Sequence, residues 1–196
     1  MVAVFLKTEI ASSRFSEEIL ILLQRDWVDR RIVDLPDLSN RDENQYRIKL
    51  LGDFRGYGQN RALFKSFPAD VDWNRAVLAR EEILEIRYID YSYWNELSGN
   101  TRSPVAAAGN IRAGVEVYGQ SNQGFLDLAK ALQNGVDVPE LILFAPEPGA
   151  DLTVLEGHAR LTAYALYPEA LTHGVEVMIG YSEGLSKWEW KSIHGR

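Results

Sequence analysis

The 196-residue chain reads as an α+β protein, a small mixed sheet flanked by helices and preceded by a mostly helical N-terminal extension. Two features predict this class. Short apolar runs of strand length, Leu141 to Phe144, Leu152 to Leu155 and Val175 to Ile179, are interleaved with segments that carry helix starts and stops. With 46% hydrophobic and 25% charged residues, and no tract dominated by Pro, Ser or Gln, the chain can bury one substantial core and needs no disordered region.

The elements follow in order along the chain. Val2 to Leu6 is a short apolar run that reads as a strand. Ser16 then stands as the N-cap of a helix with Glu17 and Glu18 in its first turn and Ile19, Leu20, Leu22 and Leu23 as its apolar residues, ending near Asp26. Asp34 to Asn40 has turn chemistry, and Arg41 to Leu51 reads as a second helix. The glycines of Gly52-Asp-Phe-Arg-Gly-Tyr-Gly58 let backbone amides approach a phosphate, but the segment lacks the Gly-Lys-Ser/Thr ending of a P-loop and no strand feeds it. It reads as a structural loop, with Arg55 unassigned. Composition changes near Phe67-Pro68, with a boundary between Lys65 and Arg80; the extension is assigned to residues 1–75 and the main domain to 76–196.

Pro68, Ala69, Asp70 and Asp72 read as a linker or tight corner. Arg80 to Leu84 forms a helical turn leading into a strand, Glu85 to Ile89, in which Ile86 and Tyr88 alternate with Arg87. The aromatic segment Tyr91-Ser-Tyr-Trp94 reads as core in preference to a base-stacking platform. Ser103 caps a helix with Pro104 at its first position, a core face of Val105, Ala108, Ile111 and Val115, and a stop at Gly114 or Gly119. Phe125 to Gln133 is the next helix, stopping at Asn134-Gly135. Leu141 to Phe144 then pairs with Leu152 to Leu155 through the turn Pro146 to Gly149, and the second strand runs into Glu156-Gly-His-Ala-Arg160 and a helix, Leu161 to Leu166, broken by Pro168. After Val175 to Ile179, Trp188 and Trp190 are two apart, so a strand or arm there docks both indoles on one face.

Composition narrows the chemistry. A net charge of −7 works against holding duplex DNA by neutralising phosphates over a broad basic face, although a local basic pocket stays compatible with it. No cysteine means no disulfide, no thiol chemistry and no cysteine-ligated metal. His158, His173 and His194 form no helical His-x-x-x-His pair, so no metal site is assigned. The first apolar run is too short for a signal peptide, and no apolar stretch is long enough to span a bilayer, so a cytoplasmic location without membrane partners is expected.

The segment richest in chemistry is Leu155-Glu-Gly-His-Ala-Arg-Leu-Thr-Ala-Tyr164. A strand that turns sharply through glycine into a helix leaves free amides at the helix start, and a nearby arginine makes this a natural phosphate site. Gly157 supplies the turn, Arg160 a planar fork for two phosphate oxygens, and Glu156 and His158 the side chains able to move protons near neutral pH. The alternative is structural, with Arg160 paired to a carboxylate and His158 capping its helix.

On these residues the chain resembles the ParB/sulfiredoxin-like superfamily, in which a hairpin strand enters a Gly-(Glu/His)-x-Arg turn and then an alanine-rich helix. The resemblance covers about Ile83 to Ser182. It implies that Gly157, His158 and Arg160 contact the phosphates of a nucleoside di- or triphosphate, with Mg²⁺, and that Thr101, Arg102 and Ser103 form the family's arginine-containing loop before its first helix. For Arg102, a phosphate contact and a structural salt bridge remain equal readings. The nearest variant of the motif, Asp-Gly-His-Thr-Arg, belongs to the superfamily's free-serine kinases, where the acidic residue assists phosphoryl transfer; Glu156 stands there with one more methylene. The absence of cysteine removes the sulfiredoxin reaction, and the double-arginine box and DNA-binding helices of chromosome-partitioning proteins are missing. The resemblance therefore implies a phosphotransferase or nucleotide hydrolase with Glu156 and His158 as catalytic residues, acting on an unspecified small-molecule or protein acceptor. A nucleotide-gated regulatory or protein-binding module without catalysis is the alternative, and a DNA-binding protein or nuclease is disfavoured by charge.

Overall fold

The computed structural model describes residues 1–12 and 14–190. The chain divides into two compact units, Met1–Ala69 and Asp70–Arg196. The first is helical: α1 (Val2–Ile10), α2 (Ser16–Arg25), α3 (Arg31–Asp34) and α4 (Arg41–Arg55). α1 packs against the other three, and Phe5, Leu6, Ile19, Val33, Leu50 and Leu51 are buried.

Three expectations change here. Val2 to Leu6 belongs to a helix, not a strand; five consecutive apolar residues have no period of their own, and the burial of Phe5, Leu6 and Ile10 beneath neighbouring helices decides the outcome. Ser16 is the first helical residue, with Phe15 in the cap position and no side-chain cap. The second predicted helix runs on to Arg55, so most of the glycine-containing loop is its last turn. Asn40 caps its start by accepting from the amides of Asp42 and Glu43, each at 3.1 Å, and Gly56 ends it in the left-handed region at φ 85°. The buried Arg47 guanidinium donates to the carbonyls of Ile32 (3.0 Å) and Asp37 (2.8 Å), which ties the preceding loop onto α4.

The second unit is α+β. In chain order it contains β1 (Asp72–Leu78), α5 (Arg80–Glu85), α6 (Ser92–Leu97), α7 (Pro104–Arg112), α8 (Gln123–Gln133), β2 (Leu141–Ala145), β3 (Thr153–Glu156), α9 (His158–Leu166) and β4 (Val175–Tyr181). The four strands form one mixed sheet in the order β1-β4-β2-β3. β4 pairs antiparallel with β1 and parallel with β2, while β2 and β3 form an antiparallel hairpin with Leu143 opposite Val154. All five residues of β2 are buried, as a central strand requires. α9 packs against α7 and α8, and the core joins Ile83, Tyr88, Ile111, Leu143, Leu161 and Ile179.

The hairpin, the helix starting at Pro104 and the helix ending at Gln133 lie where the sequence puts them. The linker assigned around Asp70 and Asp72 instead leads into β1, an edge strand that is mostly exposed and so carries little apolar alternation. Glu85 to Ile89 is not a strand: Glu85 closes α5, and only Arg87 makes a bridge, parallel to Thr153. On α7, Val105 is exposed and Ala107 buried, and Val115, beyond the helix, is also exposed. α9 begins three residues earlier than Leu161. The two C-terminal tryptophans do not share a face: Trp188 packs on Phe144 at 5.1 Å between ring centroids and Trp190 on Tyr91 at 6.0 Å. His194 lies outside the described residues. Among those residues no helix is long and apolar enough to cross a membrane.

Candidate functional site

β3 ends at Glu156 and α9 begins at His158, so Gly157 must redirect the chain within one residue. It does so at φ 106°, a conformation that only glycine adopts without strain. Space makes the same demand. A Cβ at this position would lie 2.5 Å from Leu141 Cδ2 and 2.7 Å from Arg160 Nη2. The Arg160 guanidinium is therefore folded back over the glycine, where Nη2 meets Glu156 Oε1 at 3.4 Å. Arg160 is 6% exposed and Glu156 half-buried. Gly157 is the N-cap and supplies no side chain to the first amides of α9; its carbonyl accepts from Leu161 at 2.9 Å.

The loop before α7 is held by its own polar groups. Ser98 Oγ accepts from the Arg102 amide at 2.9 Å, Thr101 Oγ1 donates to the Ser98 carbonyl at 2.8 Å and accepts from the Ser103 amide at 3.2 Å, and Ser103 Oγ accepts from Ala106 at 3.4 Å. Thr101 and Ser103 thus cap and brace the loop. Gly99, Asn100 and Arg102 all have positive φ, Arg102 at 58°. Arg102 is buried. Its Nε donates to the Tyr88 carbonyl at 2.7 Å, and its carbonyl accepts from the Tyr88 amide at 2.9 Å. Burial pushes the guanidinium below its ordinary value, Asp90 opposes that shift, and the like charge of Arg87 adds to it.

Tyr88 joins this loop to the turn. Its hydroxyl lies 2.7 Å from Thr162 Oγ1, and because Thr162 donates its own proton to the His158 carbonyl at 2.8 Å, Tyr88 is the donor. Burial raises the phenol well above its ordinary value, so it keeps that proton. The Tyr88, Trp94 and His158 rings are nearly parallel, with centroids 4.8 Å (Tyr88 to Trp94), 5.0 Å (Trp94 to His158) and 6.1 Å (Tyr88 to His158) apart. The structure so links Glu156, Gly157, His158 and Arg160 on one turn with Arg102 through Tyr88.

Sequence reasoning missed Tyr88, Trp94 and Thr162 as parts of this arrangement. The alternation of Ile86 and Tyr88 marked Tyr88 as buried, but nothing local joined it to residues seventy positions away. Two clefts lie elsewhere on the second unit: one of about 300 Å³ bordered by Arg112, Lys130 and Tyr167, and one of about 440 Å³ bordered by Glu140, Tyr164 and His173. Neither includes the Glu156 to Arg160 turn. Among the described residues no group of three or more His, Cys, Asp or Glu side chains is arranged to hold a metal ion. Comparison with protein-family models, with curated proteins and with solved structures finds no match for this chain.

Proposed function

We propose that the second unit is a ParB/sulfiredoxin-like domain that binds a nucleoside di- or triphosphate at the Glu156 to Arg160 turn and acts, in the cytoplasm, as a phosphotransferase or nucleotide hydrolase. The observation that carries this reading is the turn itself: a strand, a glycine at φ 106° that gives the helix start no side-chain cap, and an arginine folded over that glycine, in an otherwise acidic unit. The amides of a helix's first turn and a guanidinium are a donor set suited to phosphate oxygens. Arg160 holds the phosphates at the turn, and Arg102, seated through Tyr88, is the second cation of the clamp, with Thr101 and Ser103 bracing its loop. Mg²⁺ carried by the nucleotide neutralises phosphate charge when bound.

In the transfer step the acceptor, an alcohol or water, attacks the terminal phosphorus. The bond to the bridging oxygen breaks, and the nucleoside diphosphate leaves with its electron pair. Glu156 takes the acceptor's proton, and His158 is the second group on the turn able to carry one. One observation favours the non-catalytic alternative: Glu156 already faces Arg160 at 3.4 Å, as a structural counter-charge would. In that reading the turn holds a nucleotide to fix a conformation that a partner recognises.

Two substitutions separate these readings. Calorimetry with ATP and Mg²⁺ is expected to find Arg160→Ala about ten- to a hundredfold weaker in binding, the effect of losing charge-assisted hydrogen bonds. Glu156→Gln retains binding but lowers phosphate release or transfer by about a hundredfold. Binding without any turnover in the wild type selects the regulatory module. If wild type does not bind, or both variants match it, the nucleotide reading is wrong.

A further inference from the structure

We propose that Tyr88 is the positioning residue of this turn, fixing the plane of the His158 imidazole and the seat of Arg102 together. This rests on the nucleotide reading for its functional consequence, though not for its geometry. Tyr88 exchanges two backbone-level hydrogen bonds with Arg102, accepting from its Nε at 2.7 Å and donating to its carbonyl at 2.9 Å. It reaches His158 twice. The hydroxyl donates to Thr162, whose Oγ1 donates to the His158 carbonyl, and the ring lies nearly parallel to the imidazole, 13° between planes. Trp94 completes the cluster at 17° to the imidazole and 23° to the phenol, so the imidazole cannot turn about its ring axis without meeting an aromatic face. The Tyr88 segment is itself anchored to β3, where the Arg87 amide donates to Leu152 and the Arg87 carbonyl accepts from Val154, both at 2.8 Å. A displacement of Tyr88 therefore moves the cationic loop and the helix start in the same event.

The charged groups around the cluster are Arg102, Asp90 and Arg87 on the loop side and Glu156 and Arg160 on the turn. None of them substitutes for the ring contacts, which are apolar and insensitive to salt. Position 88 also needs its aromatic body more than its hydroxyl, because Thr162 keeps its bond to His158 when the phenolic oxygen is removed. Phenylalanine should then rescue what leucine loses.

The test measures the His158 ring-proton chemical shifts by NMR, assigned with His158→Gln, and ATP-Mg²⁺ affinity by calorimetry, in wild type, Tyr88→Phe, Tyr88→Leu and Trp94→Leu. In wild type the stacked rings move the His158 signals upfield of an exposed histidine. Tyr88→Phe is expected to keep that shift and bind ATP within about threefold of wild type, whereas Tyr88→Leu loses most of the shift and about tenfold or more of the affinity, the size of effect that misplacing a contact by an ångström produces. Trp94→Leu, at a half-buried position, removes the nearer ring and leaves Tyr88 in place, so its ATP affinity reports whether the ring cluster positions the turn if Tyr88→Leu does not fold. An unchanged His158 shift in the folded leucine variants, or a lost shift with unchanged affinity in a wild type that binds, overturns the proposal. A wild type that binds no ATP overturns the nucleotide reading instead, and the imidazole shift alone then decides whether Tyr88 orients His158.

Discussion

Gly157 and Arg102 use the same region of backbone space under opposite chemical conditions, since one is a glycine at φ 106° and the other a buried arginine at φ 58°. For Gly157 the prediction is simple. Alanine there meets both the positive φ and the Leu141 methyl, so Gly157→Ala is expected to lower unfolding free energy by about 2 to 4 kcal/mol in urea titrations. At Arg102 the strain is offset by the bonds to Tyr88 and Ser98. Arg102→Gly and Arg102→Ala lose the same side-chain bonds but differ in strain, so the glycine variant should be more stable than the alanine variant by about 1 kcal/mol. Equal stabilities would mean that the loop relaxes once the guanidinium is gone.

The pairing of α2 with α4 is an electrostatic clamp over a buried apolar seam. Asp26 and Asp53 sit between Arg25 and Lys49, with nitrogen to oxygen distances of 2.7 to 2.9 Å. Hydrogen bonds from Lys49 and Arg25 hold the Asp53 carboxyl down to about 2, and those from Arg25 and Lys49 hold Asp26 well below the usual carboxylate range. Both values are depressed by folding, so their stabilisation is complete above the ordinary carboxylate value near ~4 and disappears as pH falls through the folded values. An acid titration followed by far-ultraviolet circular dichroism should therefore show helix loss between pH ~4 and about 2. Arg25 and Lys49 are half exposed, so added salt should weaken the effect. A helical signal unchanged through that acid range would show that the clamp contributes nothing to stability.

Charge is divided unevenly along the chain. Residues 1–69 carry 11 Lys and Arg against 10 Asp and Glu, while residues 70–196 carry 10 against 18. The unit with the candidate site is therefore the acidic one, and the few cations linked at the turn stand out against it. Duplex DNA is expected to bind this protein no better than heparin or another polyanion at physiological salt; tight, sequence-selective binding in a gel-shift series would contradict that. The second unit's apolar core draws on residues from Ala76 to Tyr181, all beyond Ala69. A chain cut at the 69/70 junction should accordingly yield a C-terminal fragment with dispersed amide resonances and a cooperative thermal transition. A fragment lacking both would mean that its fold depends on the helical unit.

Local chemistry was legible wherever a residue type answers a local backbone demand. Ser103-Pro104 starts α7, Asn134-Gly135 follows α8, the hairpin reverses between Pro146 and Gly149, and Gly157 turns a strand into a helix. Those signals act over a few residues, through caps, fixed φ values and missing Cβ atoms, and the sequence carries them complete. What only the tertiary structure decided lies where an element takes its identity from its neighbours. The run at Val2 is a helix because other helices cover it, Asp72–Leu78 is a strand because β4 supplies its hydrogen-bond partners, and Val105 is outside because Ala107 and Ile111 face the core. The link from Arg102 through Tyr88 to His158 is of the same kind: three positions far apart in sequence meet because the segment at Arg87 pairs with β3, and packing of that range leaves no mark on local spacing.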